Sequence, residues 1–247
     1  MNNKILWQKL GLNLLISTIL FGVFFGILFL LECYIPELHN KLLNFNDIAF
    51  NIGIVASIAG VGYTLTIRNP ENFIGFYLGI VMSLLLGIQF FLKKFYDLTF
   101  LYIIVFIPFQ IASIVTWKKR INNTKSTPAF LSPNKIFLTI FLFLLLITCD
   151  YFFTTYIINK DSGSIWQNSF DKIINGVVIA SSILANFWLI FKKIDAWIYW
   201  IIYSVTSVIQ GIFVINNPFN TILSLFFIII NSLATYSWIK NYKNASK

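Results

Sequence analysis

Apolar residues fall along this chain in runs of about 20, the length that crosses the hydrocarbon core of a bilayer as a helix. The pattern predicts eight such helices, at Leu10–Leu31, Ile48–Ile67, Asn72–Leu92, Leu98–Trp117, Ile136–Asn159, Ile173–Phe191, Ala196–Ile215 and Asn220–Ile239. No charge occurs from Ala196 to Ile239, which is too long for one span. The turn-forming Asn216-Asn217-Pro218-Phe219-Asn220 divides it. Lipid offers no partner for backbone N–H and C=O groups, so runs of this kind must be helical. The first run starts with Lys4 and Lys9, but it is long and Leu30-Leu31-Glu32-Cys33 is a poor cleavage site, so it reads as an uncleaved anchor.

Polar positions carry a second pattern. Shifted by 124 residues, Asp47–Phe91 lies on Asp171–Ile215 without a gap, with ten of 45 positions identical. The polar identities are Asp47/Asp171, Asn51/Asn175, Ser57/Ser181 and Ser83/Ser207, joined by Gly87/Gly211. With a three-residue gap, QIASIVTW (110–117) then falls on NSLATYSW (231–238). The repeat unit is three helices, spans 2–4 and 6–8, with span 5 as linker and span 1 outside. An odd linker gives both units the same orientation, and parallel repeats place a substrate site at their interface near the midplane. The chain therefore divides into an anchor helix and outer loop (1–46), a first repeat (47–117), a basic loop and linker helix (118–170), a second repeat (171–240) and a tail (241–247). The fold class is all-α integral membrane.

Composition agrees: the chain of 247 residues is 58% hydrophobic and 11% charged, with mean hydropathy +0.80. A soluble domain carries about 25% charged residues, so a soluble enzyme is excluded. The net charge of +9 does not point to nucleic acid, because the basic residues sit in short loops. Alternate loops receive 13 and 5 of the 18 Lys and Arg residues. The richer side is cytoplasmic by the positive-inside rule, which puts both termini inside. The loop Lys118–Lys135, with Pro128 and Pro133, reads as a connector. Cys33, Cys149 and the lone His39 suggest no disulfide framework, metal site or catalytic triad. No cofactor is expected.

Within the spans, Asp150 is the exceptional charge, open to a proton-coupling role or to a hydrated or structural one. Gln110 and Asn231 hold equivalent repeat positions, and either bond neighbouring helices or face a ligand. Trp197 and Trp200 stand three apart on one helix face, as an interfacial belt or as a stacking wall for a planar ring. Trp7, Trp117 and Trp238 read as belt residues. Gly60, Gly62, Gly75, Gly79 and Gly87 suit close helix packing.

Several of these residues resemble the PnuC family of vitamin-precursor transporters. In the second half they are Trp197-x-x-Trp200 after Lys192-Lys193, then Gly211, then Asn231-x-x-Ala234-x-x-x-Trp238. In the first half they are the Phe95-Tyr96-Asp97 segment, expected as a turn, and Gln110-x-x-Ser113-x-x-x-Trp117 before Lys118-Lys119. The resemblance covers about Asp47 to Lys243 and implies a SWEET-like plan of three, one and three helices. It implies facilitated diffusion, by alternating access, of a nucleoside-like vitamin precursor such as nicotinamide riboside, for use in NAD biosynthesis. It also implies a cytoplasmic kinase that traps the solute, a homo-oligomer, and no enzyme activity. The substrate-binding set it suggests is Trp197, Trp200, Ser204, Asn231 and Gln110, with Tyr203 and Gln89. Ser204 and Gln110 stand where the family has Asn, and Ser113 and Ala234 where it has Gly. A changed amide alters selectivity, which leaves thiamine, riboflavin or another nucleoside as candidates. The alternative function is a polytopic scaffold or immunity-type membrane protein.

Overall fold

The computed structural model describes residues 3–35, 43–123, 127–156, 168–214 and 218–245. His39, Lys41, Lys125, Lys160, Lys247 and the Asn216-Asn217 turn lie outside the described residues. Among the described residues the fold is helical without strands, and eight helices are long and apolar enough to cross a membrane. They are α1 (Asn3–Tyr34), α2 (Ile48–Ile67), α3 (Gly75–Leu92), α4, α5 (Pro133–Tyr156), α6 (Ser169–Ile190), α7 (Asp195–Phe213) and α8 (Pro218–Ala245). Helix α4 is continuous through Tyr96–Phe100, a π-helical turn at Leu101–Phe106, and Ile107–Asn123. Pro108 explains that widening. It has no N–H for the Ile104 carbonyl, and its ring crowds that carbonyl, so the ladder opens just before it.

The chain forms two compact units. The first holds residues 1–128 and 233–247, the second residues 129–232. In the first, α1 lies on α2: Asn13 Nδ2 donates to Thr66 Oγ1 at 3.2 Å and Ser17 Oγ to the Ile58 carbonyl at 2.7 Å. The end of α8 is fixed to the end of α2, where the Trp238 indole N–H donates to the Ile67 carbonyl at 3.0 Å. Trp238 packs on Trp117 at 5.7 Å, and Trp117 meets Phe76 edge-on at 4.7 Å. Both Trp117 and Trp238 are fully buried. The belt expectation is therefore corrected for this pair: their indoles face protein rather than the bilayer surface. Trp7, stacked on Tyr77 at 5.8 Å, is 52% exposed and remains placed as a belt residue would be.

In the second unit α5 packs on α6 and α6 on α7, with the α7–α8 hairpin completing it. The connector is strapped to the α6–α7 turn. Ala129 N–H donates to the Lys192 carbonyl at 3.2 Å, Ile194 N–H to the Ala129 carbonyl at 3.0 Å, and Leu131 N–H to the Asp195 carboxylate at 2.8 Å. This holds the start of α7, the helix that carries Trp197 and Trp200. Pro133 opens α5 at a position where its missing N–H costs nothing.

The repeated polar residues resolve into local chemistry. Asp47 caps α2 through Ala49 N–H at 2.8 Å, while Asp171 forms a capping box with Asn168 at the start of α6. Ser57 and Ser181 each bond the carbonyl four residues back, of Gly53 at 2.7 Å and Val177 at 2.6 Å. Gly87 and Gly211 play one part twice: each gives room to a side chain of the following helix, Ile103 and Thr221 respectively. The Phe95-Tyr96-Asp97 segment is not the turn expected. Helix α4 begins at Tyr96, and the reversal lies at Lys94, whose φ of 62° closes a Schellman motif with Phe95 N–H on the Phe90 carbonyl at 2.9 Å.

Candidate functional site

Four of the seven candidate residues meet in the second unit, on the facing sides of α7 and α8. The Asn231 side-chain amide donates to Ser204 Oγ at 3.1 Å and to the Trp200 carbonyl at 3.3 Å. Ser204 in turn donates its hydroxyl to the same carbonyl at 2.9 Å. The bonds therefore run in one direction, from Asn231 to Ser204 to the Trp200 backbone. They fix which end of the amide faces α7, and so which way its oxygen points. The Trp200 ring meets Tyr203 edge-on at 5.4 Å and stays half-buried, as Tyr203 does. Asn231 and Ser204 are buried. The result is a half-open aromatic wall beside a neutral hydrogen-bonding group.

Trp197, one turn before Trp200, is 1% exposed. It is neither an interfacial belt residue nor as open as Trp200. Its burial makes it part of the packing that holds the start of α7.

In the first unit Gln110 of α4 lies flat on Gly79 of α3. A Cβ at residue 79 would stand 2.8 Å from Gln110 Oε1, so only glycine leaves room for the amide. The buried Tyr63 of α2 lies beside the same amide and packs on Phe76 at 5.7 Å. Residue 79 falls on Tyr203 under the 124-residue shift. Each unit thus lays the amide of its last repeat helix on the same stretch of its middle helix. Gln89 is placed apart from Gln110. It lies ten residues along α3 from Gly79, about 15 Å at 1.5 Å per residue, and covers Gly53 of α2.

Two groupings of residues escaped the sequence reading, although some of their members did not. Tyr63 lies beside the Gln110 amide, and Ser83, read in the sequence only as a repeated residue, follows Gly79 by one turn of α3. The other set surrounds Asp150. Its carboxylate accepts from Asn175 Nδ2 at 3.1 Å, and Asn175 Oδ1 accepts from Gln210 Nε2 at 3.4 Å. Asp150, Asn175 and Gln210 are all buried, and they bridge α5, α6 and α7. This fits the structural alternative: Asp150 is enclosed and hydrogen-bonded to the repeat. The partner was not readable, because it lies 25 residues away on another helix.

Comparison with known proteins is decisive at the family level. Residues 51–240 match the family described as nicotinamide mononucleotide transporter. The chain belongs to that family. No curated protein matches the chain in sequence. Among solved structures, the crystal structure of the vitamin B3 transporter PnuC is similar at a TM-score of 0.65 and 14% identity, over 93% of this chain and 92% of that one. At that identity the likeness establishes the fold. The family and the structural neighbour are transporters and not enzymes, as the sequence reading expected.

The enclosed Asp150 allows a prediction for this transporter fold. Asp150→Ala strands the Asn175 donor in the interior and is expected to cost about 1–3 kcal/mol, seen as a lower unfolding temperature in detergent. Asp150→Asn preserves the shape and is expected to keep uptake within about twofold of the parent, since neutral side chains can continue the network. Loss of uptake in a folded Asp150→Asn protein would instead assign the carboxylate to ion coupling.

Proposed function

We propose that this protein carries a nicotinamide-riboside-like vitamin precursor across the cell membrane by facilitated diffusion with alternating access. Family membership supports the transport class. The observation that carries the substrate class is the wall of Trp200 and Tyr203 beside the neutral Asn231–Ser204 pair. A planar ring with a polar edge fits such a surface: the ring gains aromatic contact and the edge finds a fixed amide. The groups of this set are all uncharged. A phosphate would call for Arg or Lys forks, so the riboside is favoured over the mononucleotide named in the family description. Without a nucleotide-hydrolysis motif, net uptake follows the gradient and is sustained by a cytoplasmic kinase that phosphorylates the arriving solute. Both termini are placed in the cytoplasm by the basic loops, and the working form is a homo-oligomer.

In this reading the solute contacts of the second unit are Trp200, Tyr203, Ser204 and Asn231, and the first unit, taken by itself, offers Gln110. Trp197 supports them, and Gln89 lies further along α3. Calorimetric titration of the purified protein with nicotinamide riboside, nicotinamide mononucleotide, thiamine, riboflavin and common nucleosides tests it. A saturable hit with the riboside or a related nucleoside is expected, with about 2.7 kcal/mol of stabilisation at 100 times Kd. No binding at millimolar ligand by a cooperatively unfolding protein would refute it.

Gly79→Ala gives a sharper check. The added methyl pushes only the flexible tip of Gln110, so the unfolding temperature should hardly move. Binding should weaken about three- to tenfold, the worth of one neutral hydrogen bond. Unchanged affinity would remove Gln110 from the set.

A further inference from the structure

Serines inside apolar helices have a ready partner in the carbonyl four residues back, and several in this protein use it. In the first unit Ser57 bonds the Gly53 carbonyl at 2.7 Å and Ser113 the Phe109 carbonyl at 2.8 Å. In the second, Ser181 and Ser204 do the same. Ser83 does not. Its side chain is 0% exposed, yet its hydroxyl finds no hydrogen-bond partner among the described residues. A buried hydroxyl without a partner forfeits its hydration for nothing, so such a group is kept where something else completes it.

The surroundings say what that something is. Ser83 follows Gly79 by one turn of α3 and so shares its face. Gly79 is the residue on which the Gln110 amide lies, and the Tyr63 hydroxyl is beside that amide. Gln110 is 1% and Tyr63 3% exposed. Two hydroxyls and an amide thus lie on or beside one face of α3, with Ser83 about one turn from the Gln110 amide and no charge among them. Such a set pairs with neutral groups that both donate and accept. An alcohol does this, whereas a phosphate or a metal ion would need charged partners.

We infer that Ser83, with Tyr63 and Gln110, forms a hydroxyl-recognising subsite in the first unit that takes a sugar hydroxyl of the carried solute. The inference rests on the transport reading above and adds a specificity-determining residue to it. A solute lacking the matched hydroxyl leaves Ser83 as it stands in the empty protein. Discrimination therefore comes from a bond gained by the hydroxylated solute alone.

The test is a cycle of two proteins and three ligands, read by calorimetry. Wild type and Ser83→Ala are titrated with nicotinamide riboside and with its 2′-deoxy and 3′-deoxy analogues. Alanine is a better helix former than serine and removes a partnerless hydroxyl, so the variant should unfold no lower than wild type. The expected result is a three- to tenfold loss with the full riboside on Ser83→Ala. One deoxy analogue should bind wild type as weakly as that and lose nothing further in the variant. Equal affinities of wild type and variant for the riboside would overturn the inference and leave transport intact. Parallel losses with all three ligands would also overturn it, by showing an indirect effect. Failure of wild type to bind any of the three removes the transport reading itself, and the subsite with it.

Discussion

Asn231→Ala is expected to weaken binding of the carried solute about ten- to hundredfold, the cost of losing a buried amide and disordering its partners. Asn231 does two jobs at once. Its amide N–H group bonds Ser204 and the Trp200 carbonyl, which sets the spacing of α7 and α8 where the aromatic wall stands. Its oxygen end is thereby aimed in one direction. Truncation removes the aimed group and also strips Ser204 and the Trp200 backbone of a donor. Unfolding temperature should fall as well, by the equivalent of about 1–3 kcal/mol. Asn231→Asp separates the two roles. It keeps the shape but cannot donate to either acceptor, so it should bind as poorly as alanine. Calorimetry with the riboside, alongside thermal unfolding, reads both. Wild-type affinity in Asn231→Ala would take the α7–α8 cluster out of the binding site.

The second large effect is on stability. Trp238 fills the space between the ends of α2 and α8 in the first unit, fully buried, and ties them through the Ile67 carbonyl. Trp238→Ala is expected to cost about 3–5 kcal/mol, because a cavity of indole size is left beside Trp117. Trp238→Phe keeps most of the volume and loses the N–H, so it should cost about 1–3 kcal/mol. The order of unfolding temperatures in detergent should be wild type, then phenylalanine, then alanine. A phenylalanine variant as stable as wild type would mean that the Ile67 carbonyl bond adds nothing.

These residues also show what a sequence of this kind reveals. The eight spans were legible because bilayer thickness imposes a length on each apolar run, and most helix ends fall within a few residues of the predicted ones. Ser204 and Asn231 were legible as candidates through the family resemblance, but their hydrogen bond to each other, across 27 residues, was not. What the sequence hides is azimuth and depth. Trp117 and Trp238 sit where belt residues sit along their helices, but their rings turn inward, and in a chain this apolar both faces of a helix look alike. Asp150 looked solvent-reachable by its position, while its actual partner, Asn175, is on another helix. Ser83 was visible as a repeated residue, but its missing backbone bond is a rotameric fact that no spacing encodes. Gln89 and Gln110 stood in one candidate set, but about ten residues' rise along α3 separates Gln89 from the Gly79 on which Gln110 lies.

The most direct test of the central claim is uptake of radiolabelled nicotinamide riboside into proteoliposomes holding the purified protein, without any ion gradient or nucleotide. Saturable entry is predicted, running to equilibrium with the outside and continuing beyond it only when a riboside kinase and its phosphate donor are sealed inside. Entry no faster than into empty liposomes, for the riboside and for every solute that the calorimetric screen finds to bind, would contradict it.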